Sequence, residues 1–411
     1  MTSRERILAV LGGGKPDHVP LTTWCFGLKA PEPLRWSGED GGRPFWYSLR
    51  MEHLHTLPHP WTLEDDFKRA LAWRQAGIDD VLDVSIPWSF APGVSWTEKL
   101  LPKGVLDASY EVFTREYSTP KGVYRHSVRK TAEDIKDGWV IQPDGIPPFE
   151  DFNIPRAVRH LVTGAEDVEI VPFVYTPPDE KALGWINRRM TEVDDFAGKN
   201  GFPVQVWSAF GMDAAVWLAG TEGAIMLAMD HPDVFRKLMD YIFETDYART
   251  EAALAHGGTD IVVMRGWYSS TDFWSPGLFR TFVYPYIEKL ARYVHEKGKK
   301  FAYVMTTGVE ILGESLADAG VDLLYFADPV QDRYPVESAK KLSGRMAIAG
   351  GTNAVSLHTL DRKRIADEVR LAVKTLGPAG RFILHPVDAL FPDTPWEGVE
   401  ILIDEWKKAL V

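Results

Sequence analysis

The chain is nearly without cysteine: Cys25 is the single one in 411 residues. One thiol excludes a disulfide framework, and it excludes zinc or iron–sulfur sites built from several cysteines. Long hydrophobic runs are missing as well, since no apolar stretch approaches the roughly 20 residues needed to cross a bilayer. The opening MTSRERILAVLGGGKPDHVP has no apolar core segment and no small-residue cleavage site, so no secretory signal is expected. Positive charge is in deficit, with 46 Lys and Arg against 58 Asp and Glu and a formal net charge of −12. That balance excludes the clustered basic surface by which proteins hold nucleic acid. What remains is a soluble, cytoplasmic, acidic α/β protein with an unusual supply of tryptophan, 15 in all.

From about residue 200 onward, short apolar runs alternate with segments of helical period. Strands are expected at 203–210, 260–267, 300–306, 322–329, 345–353 and 381–388, all lacking polar alternation, as strands covered on both faces do. The segment 275–298 reads as a helix with Ser275 as N-cap, Pro276 at its first position and Gly298 just past its end. The helix expected over 360–377 puts Ile365, Val369, Ala372, Val373 and Leu376 on one face. Such alternation implies parallel βαβ units. In the first half, 19–26, 79–88 and 168–176 are further strand candidates, which makes nine for eight barrel places and leaves one peripheral. SRERILAVL and WTLEDDFKRALAWRQAG read as helices, and EVFTREYSTPKGVYRHSVRK as a β-hairpin turning at Pro120-Lys121-Gly122. Nothing cuts the chain, so 1–411 is expected to form a single (β/α)8 TIM-type barrel. Its elaborated N-terminal region runs to about residue 150 and includes the hairpin.

In such a barrel the active site lies at the C-terminal ends of the strands. The polar and aromatic residues at those ends are Trp24, Asp83, Trp88, Trp207, Arg265, Trp267, Tyr268, Thr306, Thr307, Asp328, Asn353, His385 and Asp388. Together they describe an aromatic-walled pocket with a few carboxylates, suited to a flat aromatic or largely apolar substrate; ordinary core packing of the tryptophans is the competing explanation. The densest polar group is HPVDALFPDTP, where Asp393 or Thr394 is expected to cap the final helix with Pro395 at its first position. That leaves His385 and Asp388 without a structural duty. A buried carboxyl has its pKa raised and can act as an acid near neutrality. Arg265 is read as a partner for a substrate carboxylate, for Asp272 or for another acid. IAGGTNAV reads as a tight turn, with anion binding as the alternative, and His53, His55 and His59 as solvated.

These segments resemble the uroporphyrinogen decarboxylase superfamily, which includes the decarboxylase and cobalamin-dependent methyltransferases. The resemblance runs through RERILAVLGGGKPDHVP, EYSTPKGVYRHSV, SPGLFRTFVYPYIEKL, GGTNAV at a Gly-Asn-x-Asp-Pro position, and FILHPVDALFPDTPWEGVEILI. It covers most of the chain and implies the barrel. The family's zinc-dependent methyltransferases carry a His-x-Cys pair and a further Cys; here Met305, Thr307 and Asp388 stand at those places. No zinc site is therefore expected at the usual position. The decarboxylases carry an arginine-rich opening, for which this chain has PLTTWCFGLKAPEPLRW with only Lys29 and Arg35. Their His-Gly loop aligns with Asp388 and Ala389, and their decarboxylating aspartate with Asp83.

What the resemblance implies is a methyltransferase that passes a methyl group from a small, aromatic methylated substrate to cobalamin on a separate corrinoid protein. The chain itself lacks the Asp-x-His-x-x-Gly cobalamin signature. Asp388 or His385 would protonate the leaving atom, with Tyr268 assisting, while Trp24, Trp207, Trp267, Arg265 and Asn353 would hold the substrate. The alternative is a cofactor-free decarboxylase of a pyrrole-like or aromatic acid using Asp83 or Asp388, with Arg265 on a carboxylate. A homodimer stays open.

Overall fold

The computed structural model describes residues 1–25, 28, 30–34, 66–130, 148–149, 151–330, 332, 336–391 and 393–410. Seven parallel strands run in the order β1 (Leu82–Ser85), β6 (Val204–Ala209), β7 (Ile261–Met264), β8 (Lys300–Val304), β9 (Leu323–Ala327), β10 (Ala347–Asn353) and β11 (Phe382–Val387). The eighth place belongs to the extended segment 20–25. It bridges β11 in parallel at Leu21–Leu384 and the segment just beyond β11 at Cys25–Leu390, and Leu21 O accepts from Asp79 N (2.9 Å) just before β1. The curled sheet thereby meets itself, giving the expected mixed α/β barrel architecture.

Strand alternation sorts the side chains into two sets. Ile261, Val263, Ala302, Val304, Leu323, Tyr325, Ala347, Ala349, Ile383 and Val387 turn inward, where Trp24 joins them. Val262, Met264, Phe301, Tyr303, Leu324, Ile348, Phe382 and Leu384 turn outward against the helices. The helix Ser3–Gly12, started by a Thr2–Glu5 capping box, brings Ile7, Val10 and Leu11 to the inner set. Its Arg6 binds Asp17 and Asp79, and its Arg4 binds Asp260, which precedes β7, so the helix closes the floor of the barrel.

The hairpin is part of something larger. A four-stranded antiparallel sheet has the order β2 (Ser95–Leu101), β3 (Val112–Thr119), β4 (Gly122–Arg129) and β5 (Ala157–Arg159), with Thr119 opposite Gly122 across the expected turn. Three local expectations need correction. The segment 168–176 is helical, 3-10 at Ala165–Ile170 and α at Val171–Val174, with Pro172 near its start; a short apolar run does not by itself separate strand from buried helix. The helix expected over 275–298 is broken at Val283 into Pro276–Phe282 and Tyr284–Glu296, because Pro285 restarts it. Neither Asp393 nor Thr394 caps Trp396–Ala409: Pro395 sits at the N-cap, and Thr394 Oγ1 accepts from Phe391 N (3.0 Å) instead. Among the described residues no single helix is long and apolar enough to cross a membrane.

IAGGTNAV is not the expected tight turn: Ala347–Asn353 is strand β10, and its glycines serve close approach to the neighbouring elements. Gly350 lies within β10 at φ +133°, and a Cβ there would stand 2.3 Å from the Ala327 carbonyl oxygen of β9. Gly350→Ala is expected to cost about 2 kcal/mol, measured as a lower urea midpoint with unchanged far-ultraviolet circular dichroism.

Candidate active site

The C-terminal rim of the barrel gathers most of the residues picked out at strand ends. Trp24, delivered by the closing segment, is the floor of the rim. Its ring lies 4.7 to 5.9 Å between centroids from Phe326, Tyr325, Trp207, His385 and Trp267. Trp207, in β6, and Trp267, just beyond β7, lie nearly parallel with centroids 6.0 Å apart. Trp24 is buried, whereas Trp207 and Trp267 each keep part of their surface accessible.

Asp83 projects inward from β1 and accepts hydrogen bonds from Trp207 Nε1 (2.7 Å) and Gln205 Nε2 (2.9 Å). The Tyr325 hydroxyl donates to Gln205 Oε1 (3.1 Å), which orients that amide. Burial pushes the Asp83 carboxyl up to about 6, against the pull of its two donors. Asp388 follows β11 and is pushed up to about 7, again mainly by burial. Arg265 and donation from Trp267 draw it down, while Asp151 and Asp328 push it further up. Its Oδ1 is buried and has no hydrogen-bond partner. His385 is fully buried among Trp24, Tyr325 and Phe326, with Nδ1 bonded to Thr22 Oγ1 (2.9 Å) and Nε2 unpartnered. Burial lowers it to about 3, so the ring is neutral at physiological pH.

Arg265 is the one cation at the centre of this rim among the described residues, and it is already engaged. Its Nε binds Asp213 Oδ2 (3.1 Å) and its Nη2 binds Asp151 Oδ2 (3.2 Å), with the guanidinium 4.4 Å above Trp267 and 4.7 Å above Trp217. Of the partners considered for Arg265, other acids hold it, and Asp272 accepts from Thr307 Oγ1 (2.5 Å). Asp213 also accepts from Tyr268 N (3.0 Å), and Asp151 from the Tyr268 hydroxyl (3.0 Å) and Trp217 Nε1 (2.8 Å). Burial and the two carboxylates drive the Tyr268 phenol far above its ordinary pKa, which makes it a hydrogen-bond donor and not a proton source.

Other expected members of the pocket are committed elsewhere. Asn353 donates to Asp328 Oδ2 (2.8 Å) and caps the short helix Ala354–His358 through Val355 N (2.8 Å); both Asn353 and Asp328 are buried, so they form a strut behind the wall. Trp88 belongs to an adjoining cluster with Phe149, Tyr175 and Phe210. There the buried Arg249 donates to Ile86 O (2.9 Å) and Tyr175 Oη (2.6 Å), and Asp246 accepts from Phe210 N (3.0 Å) and Gly211 N (2.8 Å). This brace holds the segments that follow β1 and β6. Thr306 is half-buried at the rim. His53, His55, His59, Lys29 and Arg35 lie outside the described residues.

Met305 packs into the outer core and Thr307 is turned to Asp272, so the side chains at the zinc positions do not converge with Asp388. No cluster of His, Cys, Asp or Glu among the described residues could hold a metal. The donor set does not fit zinc. Sequence reasoning missed Asp151, Asp213, Gln205, Tyr325 and Phe326. Asp213 lies four residues beyond β6, where a wider search of the strand-to-helix loops would have reached it.

Because the folded pKa of Asp388 is raised above its ordinary value, its contribution favours the fold at pH 4 and is lost as pH rises through 7. Asp388→Asn is therefore expected to stabilise the protein at pH 8 relative to wild type, by up to about 4 kcal/mol, and to give no gain at pH 4. Chemical denaturation at the two pH values measures the difference.

Comparison with known proteins bears on the fold just described. The model of the uroporphyrinogen decarboxylase (URO-D) family matches residues 156–409. No curated protein matches the sequence. A solved methyltransferase from Methanosarcina mazei is similar with a TM-score of 0.54 at 18% identity, over 99% of this chain and 99% of that one. The 3-keto-D-glucoside 4-epimerase of E. coli reaches only 0.30 at 11% identity, over 60% of this chain and 93% of its own, too remote to carry an argument. The first of these shares the fold across the whole chain, and the family match spans more than half of it. The chain belongs to the uroporphyrinogen decarboxylase family.

Proposed function

We propose that the protein is a methyltransferase that moves a methyl group from a small methylated substrate to the corrinoid of a separate protein. The observation that carries this reading is the Asp388 carboxyl. It holds a proton near neutrality and presents a buried, unpartnered oxygen beside the Trp207–Trp267 wall. In the transfer the methyl–heteroatom bond breaks and the heteroatom keeps its electron pair. A proton donor beside that atom stabilises the departing group, and a donor with a pKa near the working pH is the most effective. Of the two acids expected from the sequence, His385 is neutral and sealed beneath the aromatic rings, so the role falls to Asp388. The reduced corrinoid supplies the nucleophile. This chain's part is to stack the donor, exclude water and hold the proton at Asp388. The methyltransferase named among the solved structures supports the reading as a relative in fold.

A decarboxylase reading draws on Asp83, whose carboxyl is also raised. Against it, Arg265 is occupied by two carboxylates, which leaves a polyacid no free cation at the centre of the rim among the described residues. Incubation with reduced corrinoid protein and a panel of methyl donors is expected to change the corrinoid absorbance with at least one donor. Asp388→Asn is expected to slow that change about 10²- to 10⁴-fold. Folded enzyme that methylates the corrinoid with no donor, yet releases carbon dioxide from an aromatic or pyrrole acid, would replace the first reading by the second.

A further inference from the structure

Among the described residues, Arg265 is the one cation at the centre of the rim and the other charged groups there are carboxyls; the neighbouring Arg249 is paired with Asp246, and Arg69 with Asp80. Asp83, Asp151, Asp213, Asp328 and Asp388 belong to five separate segments, and the Arg265 guanidinium already bridges two of them. An anion entering here meets, in a desolvated setting, more carboxyl groups than the one guanidinium offsets, and would raise their proton affinity further. A neutral guest is indifferent to that field, and a cation relieves it. The walls point the same way, because the faces of tryptophan rings attract desolvated cations more strongly than they attract neutral groups of the same shape. Trp24, Trp207 and Trp267 meet at the point beside which Asp388 keeps an unpartnered oxygen.

We infer that this site recognises a methylated ammonium group, held against the Trp207–Trp267 wall with its charge facing Asp388. The inference rests on the methyl-transfer reading for its use of the methyl group, but the recognition itself is independent of any reaction. A tertiary amine entering as its free base would take the Asp388 proton, and one entering already protonated would displace that proton to solvent; either way a carboxylate is left beside an ammonium. No bond to carbon changes in that step. Loss of the methyl group would then release a neutral amine that needs no further proton. Arg265 does not oppose the guest, since two carboxylates offset its charge.

The groups that face Asp388 are Arg265, Asp151, Asp328 and Trp267. His385 stays neutral and Tyr268 stays protonated through the neutral range, so neither adds a competing titration there. A permanent cation binds the carboxylate form of Asp388 and competes with its proton. With the free carboxyl near 7, affinity for such a cation is expected to fall about tenfold from pH 8 to pH 6. Asp83, near 6, adds to the loss at the acid end.

The test is equilibrium binding to the whole chain, read by tryptophan fluorescence and calorimetry. The probes are phenyltrimethylammonium, neutral methoxybenzene and anionic 4-methoxybenzoate. The expected result is at least tenfold tighter binding of the ammonium than of methoxybenzene at pH 8, with the ammonium affinity alone falling toward pH 6. Asp388→Asn should remove the larger part of that pH dependence, leaving the smaller loss that Asp83 causes at the acid end, and should weaken the ammonium more than methoxybenzene. Trp267→Leu should weaken the ammonium about tenfold, and the wild-type pH comparison needs no variant at all. Equal or tighter binding of methoxybenzene or 4-methoxybenzoate, or an ammonium affinity that ignores pH, would overturn the inference. If the ammonium binds as described but the corrinoid is never methylated, the recognition stands and the methyl-transfer reading fails. If the corrinoid is methylated from methoxybenzene and the ammonium does not bind, methyl transfer stands and the recognition fails.

Discussion

At the mouth of this barrel one guanidinium is set against more carboxyl groups than it can neutralise. Arg265 reaches Asp213 at the start of one helix and Asp151 from the turn before β5, with its guanidinium over the rings of Trp217 and Trp267. Tyr268 completes the junction through its backbone N–H to Asp213 and its hydroxyl to Asp151. The loops after β6 and β7 and the turn before β5 are thus tied to a single cation. Because its charge is largely spent on this junction, Arg265 offsets only part of the burial at Asp388, as two hydrogen-bond donors do at Asp83. Desolvation then raises both carboxyls toward neutrality. The chemistry available to the site follows from that imbalance more than from any one residue.

The second constraint is how the barrel closes. The eighth position is an extended segment and not a full strand, and its role is to place Trp24 across the barrel interior. Small inward residues, Ala302, Ala347 and Ala349, accompany the large Trp24, Tyr325 and Phe326 in that layer. The rings seal His385 beneath them. Whatever binds at the rim rests on indole surface, with carboxyls at its edge and the packed aromatic layer below it. The helix Ser3–Gly12 closes the opposite face with Ile7, Val10 and Leu11.

Much of this is legible in the sequence, for identifiable reasons. Strands such as β7 and β9 are buried throughout, so their continuous apolar runs mark them without ambiguity. Once strand ends are known, the barrel rule finds Asp83, Trp207, Trp267 and Asp388 directly. The segment 168–176 misleads because its apolar run is short, and helix and strand bury such runs equally well. Asp151 and Asp213 are invisible because their importance comes from a distant partner: Asp151 is 114 positions from Arg265, and no local pattern announces it. Asn353 is legible as a strand-end polar residue, but its amide is consumed by Asp328 and a helix start. Residue type and position reveal which groups reach the rim; which of them are already spent depends on packing.

The proposed chemistry requires Asp388 to carry a proton near neutral pH. Carbon-13 NMR of protein labelled at the aspartate carboxyl carbons, with Asp388→Asn to assign the resonance, reads that proton directly. A titration of the Asp388 signal centred near pH 7 is the expected result. A carboxyl that titrates near 4, as exposed aspartates do, would show that the wall does not desolvate it and would remove the basis of the proposed chemistry.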